Sequence, residues 1–464
     1  MDKFFKISEH GSNYRREIIG GLTTFFAMAY IIFVNPSQLC NDFAASISGA
    51  MDASYAAGVM VATCIASALG CFLTAFLANV PFAQAPGMGL NAFFTWTCCV
   101  VMGYTWQQAL TIVLISGILF LIISVSPLRS KIIASIPAGL KSAIGAGIGL
   151  FIAFIGLINS GKGIIKLDGD LHITGLNFKL NVLDEAGNVT GSVWNKAALL
   201  TIMGVIIIAA LMAWKVKGAI FIGIIATTVI ALPLGVTSLP TADSFNFNAI
   251  GDISKVAFKF DFAGLFGHGV LSLITAIISF LVVDMFDTVG TLIGTAGNAG
   301  MLDKNGNLPG GDRALIADAA ATCVGACLGT STVTTYVESS AGISEGARTG
   351  LSSVIVGVLF LLGIFLYPIA GIIPGAATAP ALIIVGVLML KSAAKVDWGD
   401  IEIAIPAFLT IAIMPFAYSI SDGIGFGFIS YTIIKMVRGK FKEIPVLMYI
   451  LSVIFIAMYI LKNL

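Results

Sequence analysis

Charge is scarce in this chain. Asp, Glu, Lys and Arg make up 11% of its 464 residues, against about 25% in soluble domains, while 58% are hydrophobic. Too few polar side chains remain to clothe a soluble globule, so the chain reads as a polytopic membrane protein. The charges nearly cancel, at +1, and offer no basic face to nucleic acid. Histidine is rarer still: three are present and none stands beside a cysteine pair, which argues against a zinc site. Cys323 and Cys327 read as small apolar packing. No Ser/His/Asp set, metal pair or cofactor motif marks an enzyme, and no cofactor is called for. No cleavable signal peptide is expected, because Met1 to Glu17 is polar and the run that follows is as long as a span.

Long apolar runs are what the chain has instead. They fall at roughly 17–39, 55–78, 86–102, 107–126, 136–158, 196–214, 217–235, 268–293, 314–329, 331–347, 349–370, 377–394, 401–418 and 421–437. A further run at 445–462 is either a fifteenth span or an interfacial helix. With the N-terminus cytoplasmic, Arg15, Arg16, Arg129, Lys131, Lys215, Lys217, Lys304, Arg313, Arg348, Lys391, Lys395 and the cluster from Lys435 to Lys442 all fall in inner loops. The short outer loops carry no basic residue, in accord with the positive-inside rule. The polar outer loop 159–195 predicts a small exposed hairpin.

The chain repeats itself. Ala62-Thr63-Cys64 leading to Leu69-Gly70 recurs as Ala321-Thr322-Cys323 leading to Leu328-Gly329. Ile115-Ser-Gly117 recurs as Ile355-Val-Gly357, and Ile136-Pro137 as Ile373-Pro374, in order and at offsets between 237 and 259. A duplicated seven-span unit follows, and an odd number of spans makes the second copy inverted. That is the architecture of many secondary transporters, whose sites lie where broken helices of the two halves meet.

The third span of each half is broken. The first carries Pro81, Pro86, Gly87 and Gly89 ahead of Asn91, which predicts an extended piece and then a half-helix. The second carries Thr332-Val333-Thr334-Thr335, a strand-favouring run, before Glu338. A simple kink would explain one such cluster, but two at matching positions point to a site.

Acids stand in the apolar runs. Asp284 and Asp287, three residues apart, share one helix face. A carboxylate deep in a bilayer costs roughly 2.5–3.5 kcal/mol, so that face should meet protein, a cavity or a ligand. Asp284, Asp287, Glu338 and Asn91 are therefore the expected site, with Asp318 and Glu345 as weaker candidates, Glu345 reading as a rim pair with Arg348. Carboxylates repel anions and accept N–H donors. Phe93, Phe94, Trp96, Phe286 and Tyr336 lie nearby and can stack on a planar ring. The residues alone point to a secondary transporter for a small polar solute, and the acids and aromatics together suit a heteroaromatic ring with N–H donors.

Gln84-Ala-Pro-Gly-Met-Gly-Leu-Asn-Ala-Phe-Phe94, Asp284-Met-Phe-Asp-Thr-Val-Gly-Thr-Leu-Ile-Gly294, Thr334-Thr-Tyr-Val-Glu-Ser-Ser-Ala-Gly-Ile-Ser-Glu-Gly-Ala-Arg-Thr-Gly350, and Arg16-Glu-Ile-Ile-Gly-Gly-Leu through Pro36 are long, specific motifs. In them, from about residue 4 to 440, the chain resembles the azaguanine-permease-like branch of the nucleobase–ascorbate transporter family. The resemblance implies an all-α membrane fold of fourteen spans in two inverted repeats, with extended pieces in spans 3 and 10. It implies a core domain formed by 1–126 and 264–370 and a gate domain formed by 136–235 and 377–437; 438–464, read from its residues as a basic linker and apolar helix, lies beyond the match. It implies proton-coupled uptake of hypoxanthine, guanine or adenine across the cell membrane. Purine binding then falls to Asp284, Glu338, Asn91 and Phe94, and proton coupling to Asp284, Asp287 and Glu338. Sodium coupling and a homodimer stay open.

The rivals are an anion transporter on the same fold, against which three acids speak, a channel and a membrane enzyme. Gly156 to Gly163 is nearly a P-loop but ends Lys162-Gly163 and follows a membrane helix. Asp303 to Leu308 opens like a calcium loop without its sixth-position Gly. Asn188-Val-Thr190 is a glycosylation sequon, relevant only in a eukaryotic secretory route, and Gly145, Gly147 and Gly149 read as close helix packing.

Overall fold

The structure is a computed structural model describing residues 2–126, 135–158, 163–167, 173–183, 189–239, 247–303, 308–366 and 372–462. Gly161 and Lys162 of the near-P-loop, Asn188 of the sequon, Arg129, Lys131, Lys304 and the rest of 304–307 lie outside the described residues.

Each expected span is an element of the fold. The first is α1 (Tyr14–Met28) and α2 (Ile31–Leu39), the second α3 (Ala56–Leu73). The third is the strand β1 (Gln84–Pro86), then α4 (Met88–Ala92) and a π-helix, Phe93–Val101. Four helices complete the first repeat: α5 (Trp106–Val125), α6 (Ala138–Ile158), α7 (Lys196–Ala213) and α8 (Ala219–Ala231). The loop before α7 holds two hairpins rather than the expected one, β2 (Ile165–Leu167) with β3 (Ile173–Leu176) and β4 (Lys179–Leu183) with β5 (Val189–Trp194).

The second repeat opens with α9 (Val270–Asn298) and α10 (Gly311–Leu328). Its third span is β6 (Val333–Thr335) and α11 (Ser339–Ser344). Then come α12 (Gly350–Gly363), α13 (Gly375–Leu390), α14 (Ile401–Phe416) and α15 (Ile420–Val437). The run at 445–462 is a helix, α16 (Val446–Lys462), packed along α15 through Phe455 on Phe428 and along α9. The fold is thus an all-α membrane protein of fourteen segments in two inverted repeats, with one helix appended.

The helices are apolar on nearly every face because they have two apolar neighbours, protein and lipid. Ile122, Ile206, Phe408 and Val453 lie exposed on helix exteriors, where a soluble protein would place charge. Inside, the elements sort into two groups. In the core group α1, α3, α5, α10 and α12 pack on one another and around the two strands. In the gate group α6 lies between α13 and α14, with α7, α8 and α15 beside them. Close approach needs glycine: a Cβ on Gly149 would sit 2.8 Å from the Gly386 carbonyl of α13.

Candidate substrate-binding site

The broken spans meet as strands. β1 pairs antiparallel with β6, Gln84 opposite Thr335, Ala85 opposite Thr334 and Pro86 opposite Val333. The Gly87 N–H donates to the Thr332 carbonyl at 3.0 Å, and the Tyr336 N–H to the Ala83 carbonyl at 3.0 Å, extending the ladder at both ends. A side chain at Gly87 would press into Thr334, its Cβ 2.6 Å from Cγ2. The Tyr336 hydroxyl, expected as a stacking group, donates to the Pro86 carbonyl and clasps the crossing. Since the strands run antiparallel, α4 and α11 leave the crossing in opposite directions.

Acids surround this crossing. Asp318, two turns into α10 and fully buried, accepts from Gln84 Nε2 at 3.1 Å and from the hydroxyls of Thr335 and Thr288, each at 2.8 Å. It joins both strands, α9 and α10, a more central place than its sequence position suggested. Asp284 is buried; its Oδ2 accepts from the Thr322 hydroxyl at 2.9 Å. Asp287 is half-buried and makes no side-chain hydrogen bond among the described residues. Glu338 opens α11 without capping it; its carboxylate accepts from the Tyr30 hydroxyl instead.

Asn91 sits on α4, fully buried, and donates from Nδ2 to Gln38 Oε1 at 3.2 Å. Phe93, Phe94 and Trp96 are buried on the same half-helix. Phe93 meets Phe280 edge-on at 4.6 Å, and the Lys141 ammonium stands 5.4 Å over the Phe286 ring. Glu345 pairs with Lys217, not with Arg348, whose guanidinium donates to the Ile343 and Ala347 carbonyls. The sequence neighbour lost to a residue brought in from the gate group.

Buried polar atoms are nearly always satisfied in folded proteins. Here Asp284 Oδ1, Asn91 Oδ1, Gln38 Nε2, Gln84 Oε1 and Asn35 Oδ1 are buried and have no partner among the described residues. All belong to elements that meet at the crossing. Such a set can take a ligand or water that both donates and accepts hydrogen bonds.

Sequence reasoning missed the first span. Tyr30 holds Glu338, Asn35 donates to Thr63 at 2.6 Å and Thr330 at 2.8 Å, and Gln38 holds Asn91 and, by its carbonyl, Thr95. The available signal was Asn35 and Gln38, three apart in an apolar run and so on one helix face.

A family model described as "Permease family" matches residues 15–426. The guanine/hypoxanthine permease PbuG of Bacillus subtilis is 43% identical over 99% of both chains. The adenine permease AdeP of Escherichia coli is 39% identical over 98% of this chain and 96% of its own. The transmembrane domain of the cyanobacterial bicarbonate transporter BicA shares the fold at a TM-score of 0.60 and 15% identity, covering 88% of this chain and 97% of its own. With full-length relatives at this level, this multi-pass membrane protein belongs to the permease family of nucleobase–ascorbate transporters.

Proposed function

We propose that the protein is a secondary transporter importing purine nucleobases, hypoxanthine, guanine or adenine, by proton symport with alternating access. One observation carries the reading. Acids of three successive spans of the second repeat, Asp284, Asp318 and Glu338, gather at a strand crossing to which the first repeat brings Gln84 and Asn91, beside buried acceptors without a partner among the described residues. A purine supplies ring N–H and amine donors to Asp284 and Glu338, and Asn91 completes the contact. The names of the permeases PbuG and AdeP support the substrate class.

A neutral base leaves the carboxylates uncompensated, and buried charge without a partner is costly. A proton entering with the base neutralises the site, with Asp284, Asp287 and Glu338 as its carriers. The core, 1–126 and 264–370, then shifts against the gate, 136–235 and 377–437, and proton and base leave on the cytoplasmic side. On this reading the protein sits in the cell membrane with its N-terminus in the cytoplasm, an orientation supported by the basic residues of the inner loops.

The test is uptake of labelled hypoxanthine in cells lacking purine carriers, with and without a protonophore. Accumulation abolished by the protonophore and competed by guanine is expected. Competition by sulfate instead would support the anion reading, which the acids oppose. Accumulation that follows a sodium gradient and survives the protonophore would replace the proton.

A further inference from the structure

Among the described residues, Tyr418 is one of five non-glycine residues with positive φ, at 50°. It stands in the turn between α14 and α15. An L-residue with a bulky side chain avoids this left-handed region, and a turn that needs it ordinarily uses Gly or Asn. Tyr418 is moreover buried, 8% exposed. A ring held there against backbone preference is held by its surroundings.

Those surroundings cross the seam between the two helix groups. The ring lies 5.9 Å from that of Trp96 and meets Phe154 edge-on at 5.1 Å. Trp96 belongs to the half-helix of the third span, Phe154 to α6 of the gate. Thr97, the next residue of the half-helix, clasps the turn on both sides of Tyr418. Its hydroxyl donates to the Tyr418 carbonyl at 3.2 Å and accepts from the Ile420 N–H at 3.3 Å. Trp96 and Thr97 follow Asn91 by five and six residues on this half-helix, so the clasp lies between one and two turns from the candidate site.

A permanent joint would not need strain. This one combines a strained backbone with two long hydrogen bonds and ring contacts across the seam. We propose that the Tyr418 turn is a removable seal over the outer entrance to the site. It is closed on Thr97 and Trp96 as seen here and lifts from them when the core moves against the gate. This rests on the alternating-access reading above.

The test uses Ser421, buried in the first turn of α15 three residues beyond Tyr418. S421C in the full chain, in right-side-out membranes, is labelled with a membrane-impermeant methanethiosulfonate, and labelling of the parent chain is subtracted. Slow labelling is expected, rising about tenfold or more in Y418A and in T97V. Thermal unfolding in detergent guards against misfolding: only variants with a Tm close to that of S421C are compared. Equal rates in S421C, Y418A/S421C and T97V/S421C would overturn the proposal. The labelling needs no purine, so it can succeed or fail independently of the substrate. Added hypoxanthine changes the rate only if the purine reading also holds.

Discussion

Thr63 and Thr322 occupy matching places in the two repeats, and each hydroxyl meets the polar side chain of the span before it. Thr63 Oγ accepts from Asn35 Nδ2 at 2.6 Å, and Thr322 Oγ donates to Asp284 Oδ2 at 2.9 Å. Both Asn35 Oδ1 and Asp284 Oδ1 are left without a partner among the described residues. The inverted repeat has kept the scaffold contact and changed its charge, from amide to acid. The Thr322 hydroxyl also lies 3.0 Å from the Val333 carbonyl of β6. One hydroxyl hydrogen serves one acceptor at a time. When Asp284 is ionised the hydrogen belongs to it; when Asp284 carries the proton, it can donate to Thr322 and free the hydroxyl for β6.

Asp284→Asn should therefore abolish proton-driven accumulation while leaving the protein folded, because an amide still meets Thr322. Thr322→Val should keep binding but slow coupled uptake by roughly 10-fold, about 1.4 kcal/mol in a barrier. Labelled hypoxanthine uptake, with and without a protonophore, measures both. Full accumulation by D284N would sink the coupling scheme.

Asp318 is expected to behave differently. Replacing it with Ala removes the acceptor shared by the Gln84 amide and the Thr288 and Thr335 hydroxyls, leaving them only the weaker contacts of Thr288 with Thr334 and of Gln84 with Thr335. Each buried group without a partner costs about 1–3 kcal/mol. D318A should lower the Tm and the yield of folded protein in detergent, where D284N does neither. An unchanged Tm in D318A would show that this network does not hold the crossing.

The spans were legible because length and hydropathy alone decide them, and the breaks because Pro81, Pro86 and the Thr332–Thr335 run have local causes. Asp284 and Glu338 stood out as acids in apolar surroundings. Asn35 and Gln38 did not, since uncharged polar residues in a first span look like tolerated exceptions until their partners appear 28 to 295 residues away. Asp318 gained its central place only when β1 and β6 paired, and Glu345 its partner only when the gate group docked. Both depend on tertiary contacts that no local pattern encodes.

Glu345 should prove dispensable for transport. Its contact with Lys217 is largely exposed, and such pairs contribute about 0–1 kcal/mol. E345Q is expected to keep hypoxanthine uptake within about threefold of the parent, a barrier change under 1 kcal/mol. A complete loss would return Glu345 to the site.

A second ion cluster, where α14 begins and α15 ends, should matter for stability instead. Glu402 is buried and accepts from Lys435 at 2.6 Å and Lys440 at 2.7 Å, with Arg438 at 3.4 Å, while Lys435 also holds Glu443 at 2.7 Å. E402Q leaves Lys435 buried with a weaker partner and should lower the Tm by several degrees. The Lys435 ammonium holds the Glu443 carboxyl below the usual carboxylate value of 4.5. A depressed folded-state value contributes stability above about pH 4.5 that is lost as the pH falls through the lowered value. The Tm difference between parent and E443Q should thus be present at neutral pH and shrink in acid.

The crossing itself can be tested at one glycine. A methyl group at position 87 would fall 2.6 Å from Thr334 Cγ2, and both strands are tied down, by Gly87 to Thr332 and by Tyr336 to Ala83 and Pro86. Overpacking of this kind costs about 1–3 kcal/mol, and relief by shifting β6 moves Thr334, Thr335 and Glu338 together. G87A should therefore reduce uptake far more than it reduces Tm. Pairing it with T334S, which removes the opposing methyl, should restore much of the loss. If T334S brings nothing back, the close approach of the two strands is not what positions the site.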